Sequence, residues 1–142
     1  MLCVADGLGG HVGGEIASKL AVSVMKESLA LQPPPPPEDP EESDPGYLPT
    51  MIESSKRANQ AIFQTNQDLV KHDKPMGTTL LTAIVTPKKV FISNIGDSRC
   101  YHIREGEIIA RTEDHSWVDE QVKLGMMTRA EAEGDHRRNY VT

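Results

Sequence analysis

The sequence has 142 residues, of which 37% are hydrophobic and 25% are charged, and this is enough for one globular domain with a sizeable core. Its net charge of -6 argues against a broad basic surface for nucleic acid or an anionic membrane. No apolar stretch approaches the ~18 residues of a membrane span, and no signal-peptide pattern precedes Leu2, so a cytoplasmic protein is expected.

The chain opens with an apolar run, Leu2 to Ala5, which predicts a strand leading into Asp6 and Gly7. Five glycines stand within positions 7–14. A dinucleotide fingerprint would need a third glycine where Val12 stands, and no Gly-Lys-Ser/Thr follows. The alternatives are a hard-cation site, made of a carboxylate and the next carbonyl, and an ordinary turn that ends a strand.

Two helices with an unusual connection are predicted next. Apolar residues recur at helical spacing over 15–31. The proline-rich, acidic segment 32–50 predicts an extended loop, because Pro cannot donate a helical hydrogen bond. Docking to an SH3-like groove is a second interpretation of that segment, but its acidic flanks favour a solvated spacer. A capping-box pattern at Thr50 and Glu53 predicts a second helix that ends near Lys71.

The helical spacing of apolar residues then gives way to stretches rich in β-branched residues, which short turns separate: TTLLTAIVT, VFISNI, RCYHI and EIIART. These stretches predict an antiparallel meander. The remainder predicts two short helices, the second opened by a capping box at Thr128 and Glu131. Helices followed by such a meander indicate the α+β class. Cys3 and Cys100 lie in apolar, strand-like surroundings, which favours buried free thiols over a disulfide.

A lone carboxylate does not hold Mg²⁺ or Mn²⁺, so a partner for Asp6 is needed. Asp97, in NIGDSR, is the internal candidate, although a turn residue that hydrogen-bonds its own backbone would look the same. Neither His102 nor His115 has ligand-like spacing to another His or Cys, which favours structural roles. The segment 114–116 predicts a loop and an N-cap rather than a nucleophilic triad.

Five blocks then carry a family resemblance: VADGLGGHVGGEIAS, MGTTLLTAIV, NIGDSRCYHIREGEI, TEDHSWVDEQVKLGMMTRAEA and HRRNYVT. In order and form they resemble the type 2C protein serine/threonine phosphatases, in their bacterial style. The resemblance implies part of a four-layer α-β-β-α sandwich, with antiparallel sheets flanked by helices and a binuclear Mn²⁺ or Mg²⁺ site at one end. It also implies attack of metal-bound hydroxide on phosphoserine or phosphothreonine, with no phosphoenzyme.

The same resemblance assigns residue roles. Asp6 would bridge the two metal ions, the Gly7 carbonyl would ligate one of them, and Asp97 would help to bind a third, weaker ion. His11, in the GGH motif, would assist the leaving alkoxide or orient metal-bound water, unless it is purely structural. Two cations held about 3.5–4 Å apart lower the pKa of a bridging water and neutralise phosphoryl charge, so the protein mainly supplies carboxylates.

Residues 1–142 would be a partial phosphatase domain, with an inserted loop at 32–50 and a flap region at 113–139. The family's first strands and its C-terminal third, which carry the other metal ligands, have no counterpart here, so an inactive fragment is expected. The complete protein would be a monomer acting on phosphoproteins made by a serine/threonine kinase. Two other functions stay open, a phosphatase-like binding or regulatory module and a nucleotide-binding protein.

Overall fold

The computed structural model describes residues 1–31, 46–68 and 75–142. The chain divides into two compact units, Met1–Ser93 and Asn94–Thr142. The first unit contains β1 (Leu2–Val4), β2 (Gly7–Leu8), α1 (His11–Leu31), α2 (Tyr47–Asp68), β3 (Gly77–Thr78), β4 (Leu80–Val85) and most of β5 (Val90–Ile95). The second contains β6 (Tyr101–Arg104), β7 (Glu107–Arg111), α3 (Trp117–Lys123) and α4 (Arg129–Gly134). This mixture of helices and antiparallel strands confirms the predicted α+β class.

Two small sheets of the first unit meet at Asp6. Strand β1 is antiparallel to β4, with Cys3 opposite Thr82, and the strand order of this sheet is β1-β4-β5. Strand β2 is antiparallel to β3, with Gly7 opposite Thr78. Strands β2 and β3 have only two residues each, so the periodicity of the sequence could not predict them. Asp6 therefore lies between two strands that pair with two consecutive strands of the later chain.

The core of the first unit lies between α1, α2 and the strands. Small residues at the helix contact allow the two backbones to approach closely, and larger side chains fill the space around them; the buried cluster consists of Ala17, Ala21, Met25, Ala58, Ile62, Met76 and Leu80. The ring of Tyr47 lies 4.9 Å from that of Phe91, between centroids. This contact joins the first turn of α2 to β5.

Both long helices begin earlier than predicted. Helix α1 begins at His11 rather than near residue 15, although it takes in two glycines that disfavour helix. Helix α2 begins at Tyr47, so residues 47–50 are helical rather than part of the loop. Pro49 fits there because the first turn needs no N–H donor from it. The remaining loop residues, 32–45, and the predicted end of the second helix at Lys71 lie outside the described residues.

The predicted capping box at Thr50 is wrong. Thr50 lies inside α2, and its hydroxyl donates to the carbonyl of Gly46 at 2.8 Å. The hydroxyl of Ser54 then donates to the carbonyl of Thr50 at 2.7 Å. These Ser and Thr hydroxyls donate hydrogen bonds to backbone carbonyls of the preceding helical turn instead of capping the start of the helix.

The prediction of one continuous meander is also wrong, because the described strands fall into three sheets. Gly96, with φ of 98°, turns the chain at the end of β5 in a conformation that favours glycine. Strands β6 and β7 then pair only with each other among the described strands, with Tyr101 opposite Arg111. Glu105 and Gly106 both have positive φ, as a tight two-residue hairpin requires.

Local predictions for the second unit are confirmed. Ser116 is the N-cap of α3, and its hydroxyl accepts from the backbone N–H of Asp119 at 3.3 Å. Thr128 and Glu131 form the predicted capping box of α4. The guanidinium of Arg137 lies 3.6 Å from the ring centroid of Trp117, a cation–π contact that joins α3 to the segment after α4.

Both cysteines are free, as predicted, but they are half-buried rather than fully buried. Cys3 packs against the core, whereas Leu2 and Val4 are 66% and 56% exposed. Alternate residues of a strand face opposite sides of a sheet, so the apolar run of β1 is covered on one side only. No helix in the described ranges is both long and apolar enough to cross a membrane.

Candidate metal-binding groove

Asp6 lies on the wall of an open groove of about 570 Å³. The groove is formed by the end of β1, the glycine-rich segment and the first turns of α1; its lining consists of Ala5, Asp6, Gly7, Leu8, Gly9, Gly10, Gly14, Glu15 and Ser18. The Asp6 residue is exposed. In the described part of the chain, the hydrogen bonds of Asp6 involve its backbone alone. The carboxylate is thus available to a ligand in the groove.

Two threonines of the later chain hold the backbone of Asp6. The N–H of Asp6 donates to the hydroxyl of Thr79 at 2.9 Å, and its carbonyl accepts from the N–H of Thr79, also at 2.9 Å. The hydroxyl of Thr78 lies 3.0 Å from the same carbonyl oxygen. Both polar groups of the Asp6 backbone therefore have partners, which leaves its side chain free for the groove.

Gly7 and Gly14 bring β2 and α1 into direct backbone contact. A Cβ on Gly7 would stand 2.0 Å from the carbonyl oxygen of Gly14, a distance that no real side chain shows. Gly9 has φ of 108°, and a Cβ there would stand 2.8 Å from the Cα of Met76. By contrast, nothing would lie within 4 Å of a Cβ on Gly10. At three positions, then, glycine is needed for close packing of the chain against itself.

Asn66 of α2 holds the backbone of Met76, which lies against the glycine-rich segment. Its amide nitrogen donates to the carbonyl of Met76 at 2.8 Å, and its amide oxygen accepts from the N–H of Met76 at 2.9 Å. Met76 in turn packs against Gly9 and Gly13. Asn66 is partly buried and lies four residues after the buried Ile62, on the same side of α2, and a polar residue at such a position signals that buried partners exist.

A second carboxylate, that of Glu15, also lines the groove. It accepts from the ammonium of Lys19 at 2.6 Å, one helical turn further along α1. This hydrogen bond lowers the pKa of Glu15. His11 is the first residue of α1; its side chain lies outside the described part of the structure, so the role predicted for it stays a prediction.

Asp97 lies in the second unit, in the turn after β5, and is exposed. That turn is held by His115, whose N–H donates to the carbonyl of Gly96 at 3.0 Å and whose Nδ1 accepts from the N–H of Gly96 at 3.4 Å. His115 therefore has a structural role, as its spacing predicted. His102 lies on β6, where it is exposed.

Charged side chains between residues 113 and 139 are largely paired with one another. The hydroxyl of Ser116 donates to the Asp119 carboxylate at 2.8 Å, and Arg129 forms an ion pair with the same carboxylate. Burial acts to raise the pKa of Asp119, but the hydrogen bonds from Ser116 and Arg129 outweigh this effect and leave the pKa below its ordinary value. Arg137 likewise lowers the pKa of Asp135. Glu133 remains exposed on α4.

Asp114 has a separate partner in the loop before α3. Its side chain is only 8% exposed and forms a two-bond ion pair with Arg99, in which the guanidinium Nε donates to one carboxylate oxygen at 2.7 Å. The hydrogen bond to Asp114 raises the pKa of Arg99. Because Asp114 is engaged by Arg99 and Ser116 caps α3, the segment 114–116 is a loop and N-cap, as predicted.

The donor set in the groove fits part of a divalent-cation site. The carboxylate of Asp6 and the carbonyl of Gly7 are hard oxygen donors of the kind that Mg²⁺ and Mn²⁺ prefer. Within residues 1–31, 46–68 and 75–142, no three His, Cys, Asp or Glu side chains come together as a metal-binding group. Asp6 and Gly7 can therefore contribute to such a site.

Comparison with known proteins gives a consistent result. Residues 1–141 match the model of the protein phosphatase 2C family. Protein phosphatase PhpP of Streptococcus pneumoniae serotype 2 is 36% identical over 142 residues, which are all of this chain and 54% of that protein. The chain spans about half the length of PhpP and of the serine/threonine phosphatase stp of Listeria monocytogenes, and a quarter of the length of PstP of Mycobacterium tuberculosis.

Two solved structures show the same similarity. The serine/threonine phosphatase of S. agalactiae matches with a TM-score of 0.81 and 30% identity, over 99% of this chain and 54% of that one. The catalytic domain of the serine/threonine protein phosphatase PstP in complex with two manganese ions matches with a TM-score of 0.69 and 31% identity, over 92% and 52% of the two chains.

Proposed function

Since the chain belongs to the protein phosphatase 2C family, we propose that the complete protein hydrolyses phosphoserine and phosphothreonine in proteins with the help of bound Mn²⁺ or Mg²⁺. The relatives named as serine/threonine phosphatases support the reaction, and the structural relative with two manganese ions supports the metal. Its substrates are then proteins phosphorylated by a serine/threonine kinase. Cytoplasmic location and a monomeric state remain predictions.

The observation that carries this proposal is the arrangement at Asp6. The backbone of Asp6 is hydrogen-bonded on both sides, the exposed Asp6 residue lines an open groove, and the next residue, Gly7, lines the same groove. A fixed backbone with an unpaired carboxylate is what a metal ligand needs, because the ligand loses little freedom on binding.

The proposed roles follow from this arrangement. Divalent cations in the groove would supply an activated water and neutralise phosphoryl charge. Asp6 would bind two ions at once, with the Gly7 carbonyl as a further ligand. Asp97 would contribute to a third ion and His11 would act on the leaving alkoxide. The segment 113–139 would be a flap that selects substrates, and 32–50 a local insertion.

The glycine-rich segment gives less support to a nucleotide site. At glycines 7, 9 and 14, the space that a side chain would occupy is filled by the protein's own backbone. Phosphate-binding loops need that space for the ligand.

A binding or regulatory module without a complete metal site is the second candidate, because the described residues hold no group of three metal-binding side chains.

The test is the variant Asp6→Ala in the complete protein. Loss of a carboxylate shared by two ions should abolish Mn²⁺-dependent hydrolysis of a phosphothreonine peptide, while circular dichroism stays unchanged. Glu53→Gln is the matched control, because Glu53 is an exposed carboxylate of α2 in the same unit. Near-normal turnover of Asp6→Ala at saturating Mn²⁺ would contradict the metal role.

Further outcomes separate the two candidates. Phosphopeptide binding by the complete protein without any turnover would favour the binding module. The isolated 142-residue chain is predicted to lack appreciable phosphatase activity, because one carboxylate and one carbonyl hold Mg²⁺ or Mn²⁺ weakly against water. Calorimetry with Mn²⁺ and an aryl phosphate assay on that chain check this prediction.

A further inference from the structure

Asp6 belongs to no strand, and the hydroxyl of Thr79 accepts the hydrogen bond from its backbone N–H. Strand β1 ends at Val4 and β2 begins at Gly7, so Asp6 lies in the gap between the two sheet pairings. Across that gap its N–H donates to the Thr79 hydroxyl at 2.9 Å, and its carbonyl accepts from the Thr79 N–H. One residue, 73 positions further along the chain, thus holds both backbone polar groups of Asp6.

Burial makes this contact stronger than a surface hydrogen bond. Thr79 is 2% exposed, so water cannot readily replace its hydroxyl as the acceptor for the Asp6 N–H. The hydrogen bond is partly buried, and a donor that loses its acceptor there keeps part of its desolvation penalty, so the backbone tends to move until the N–H finds another partner. Any such movement at Asp6 is passed to Gly7, the next residue in the chain, whose carbonyl lies one peptide unit further along.

We propose that Thr79 is a positioning residue for the metal site: its buried hydroxyl fixes the Asp6 backbone so that the Asp6 carboxylate and the Gly7 carbonyl can serve one cation together. This inference rests on the proposed function. Residues that orient metal ligands from behind affect metal affinity although they do not touch the metal. Thr79 fits that description because it contacts the ligand's backbone and is absent from the groove lining.

Thr78 has a weaker claim to the same role. Its hydroxyl lies 3.0 Å from the carbonyl oxygen of Asp6 and 2.9 Å from that of Thr79. A hydroxyl carries a single hydrogen, so these two acceptors compete for it. The N–H of Asp6, in contrast, has the Thr79 hydroxyl as its acceptor.

Strand β4 supplies a matched control. Thr82 is 1% exposed, three residues beyond Thr79, and its hydroxyl lies 3.6 Å from the Cys3 sulfur instead of contacting Asp6. Replacement by valine removes the hydroxyl at either position and keeps the branched shape. Thr79→Val and Thr82→Val therefore both remove a buried hydroxyl, but only Thr79→Val removes the acceptor of the Asp6 N–H.

The experiment measures Mn²⁺ affinity by calorimetry on the complete protein, with kcat and KM for a phosphothreonine peptide. Thr79→Val should weaken Mn²⁺ binding by about tenfold or more, and saturating Mn²⁺ should restore much of kcat. Thr79→Ser, which keeps the hydroxyl, should bind Mn²⁺ like the parent protein. Thr82→Val should do the same. Parent-like affinity in Thr79→Val, or equal loss in both valine variants, would overturn the proposal.

Two further variants keep the result decisive. If Thr79→Val does not fold, Thr79→Cys takes its place, because a thiol of similar size is a weak acceptor; parent-like Mn²⁺ affinity in Thr79→Cys would also overturn the proposal. Asp6→Ala separates the two levels of inference. If Asp6→Ala leaves Mn²⁺ affinity unchanged, the proposed metal role fails; if it abolishes binding while Thr79→Val does not weaken it, only the positioning role fails.

Discussion

A methyl group on Gly14 would stand 2.7 Å from the carbonyl oxygen of Gly7. The first turn of α1 therefore lies directly on β2, and the position of that carbonyl depends on the absence of a side chain at residue 14. Gly7 O is also a proposed metal ligand, so one close contact links helix packing to the metal site.

Gly14→Ala should consequently destabilise the protein and displace the Gly7 carbonyl. Overpacking of this kind typically costs about 1–3 kcal/mol, which outweighs the roughly 1 kcal/mol that alanine gains over glycine within a helix. Chemical denaturation measures the free energy of unfolding, and Mn²⁺ calorimetry measures the effect on the site. Gly77→Ala is the control, because nothing lies within 4 Å of a Cβ at Gly77. Higher stability in Gly14→Ala would refute the close contact.

Asn66→Ala should destabilise the first unit by removing both hydrogen bonds to the backbone of Met76. Leaving buried backbone groups unpaired costs on the order of 1–3 kcal/mol. Gln67→Ala changes the next, exposed residue of α2 and should have a small effect in the same urea titration. Asn66→Asp, which can still accept from the Met76 N–H, should fall between the two. Equal stability of Asn66→Ala and Gln67→Ala would show that the Met76 contacts contribute nothing.

The stability of the second unit should depend on the ionisation of Asp119. Its pKa is lower in the folded than in the unfolded protein, so its contribution is present above the unfolded value of about 4 and is lost as the pH falls through the folded pKa. Asp119→Asn should therefore be less stable than the parent at pH 7, and the difference should shrink below about pH 4.

The fluorescence of Trp117, the single tryptophan of the sequence, reports unfolding of α3 in urea titrations between pH 2.5 and 7. Glu133→Gln is the control, since Glu133 is an exposed carboxylate of the neighbouring helix. A difference between parent and Asp119→Asn that is independent of pH would contradict the role of the ionised carboxylate.

Arg129 and Glu133 both lie on α4, within the proposed flap of residues 113–139, but their surroundings differ. Arg129 pairs with Asp119, so its replacement disturbs the contact between α3 and α4. Glu133→Ala should instead change the preference of the complete protein among phosphopeptides and leave hydrolysis of a small aryl phosphate nearly unchanged. Competition between acidic and basic phosphopeptides measures this preference. Equal losses on peptides and aryl phosphate would count against a flap.

The sequence by itself determined the features that neighbouring residues encode. The capping box of Thr128 and Glu131 spans four positions, and the cap at Ser116 acts on a residue three positions away. Such contacts form wherever the local chain is helical, so their pattern can be read from adjacent letters. The five family motifs likewise identified the family without any knowledge of the packing.

Only the tertiary structure decided what surrounds Asp6. The hydrogen bond from Asp6 to Thr79 and the contacts of Asn66 with Met76 join segments that no periodicity relates. Helix α1 starts at His11, against the low helix propensity of its glycines, because Gly14 must pack on Gly7. Long-range pairing depends on which segments bury one another, and the free energy of that burial overrides local preference.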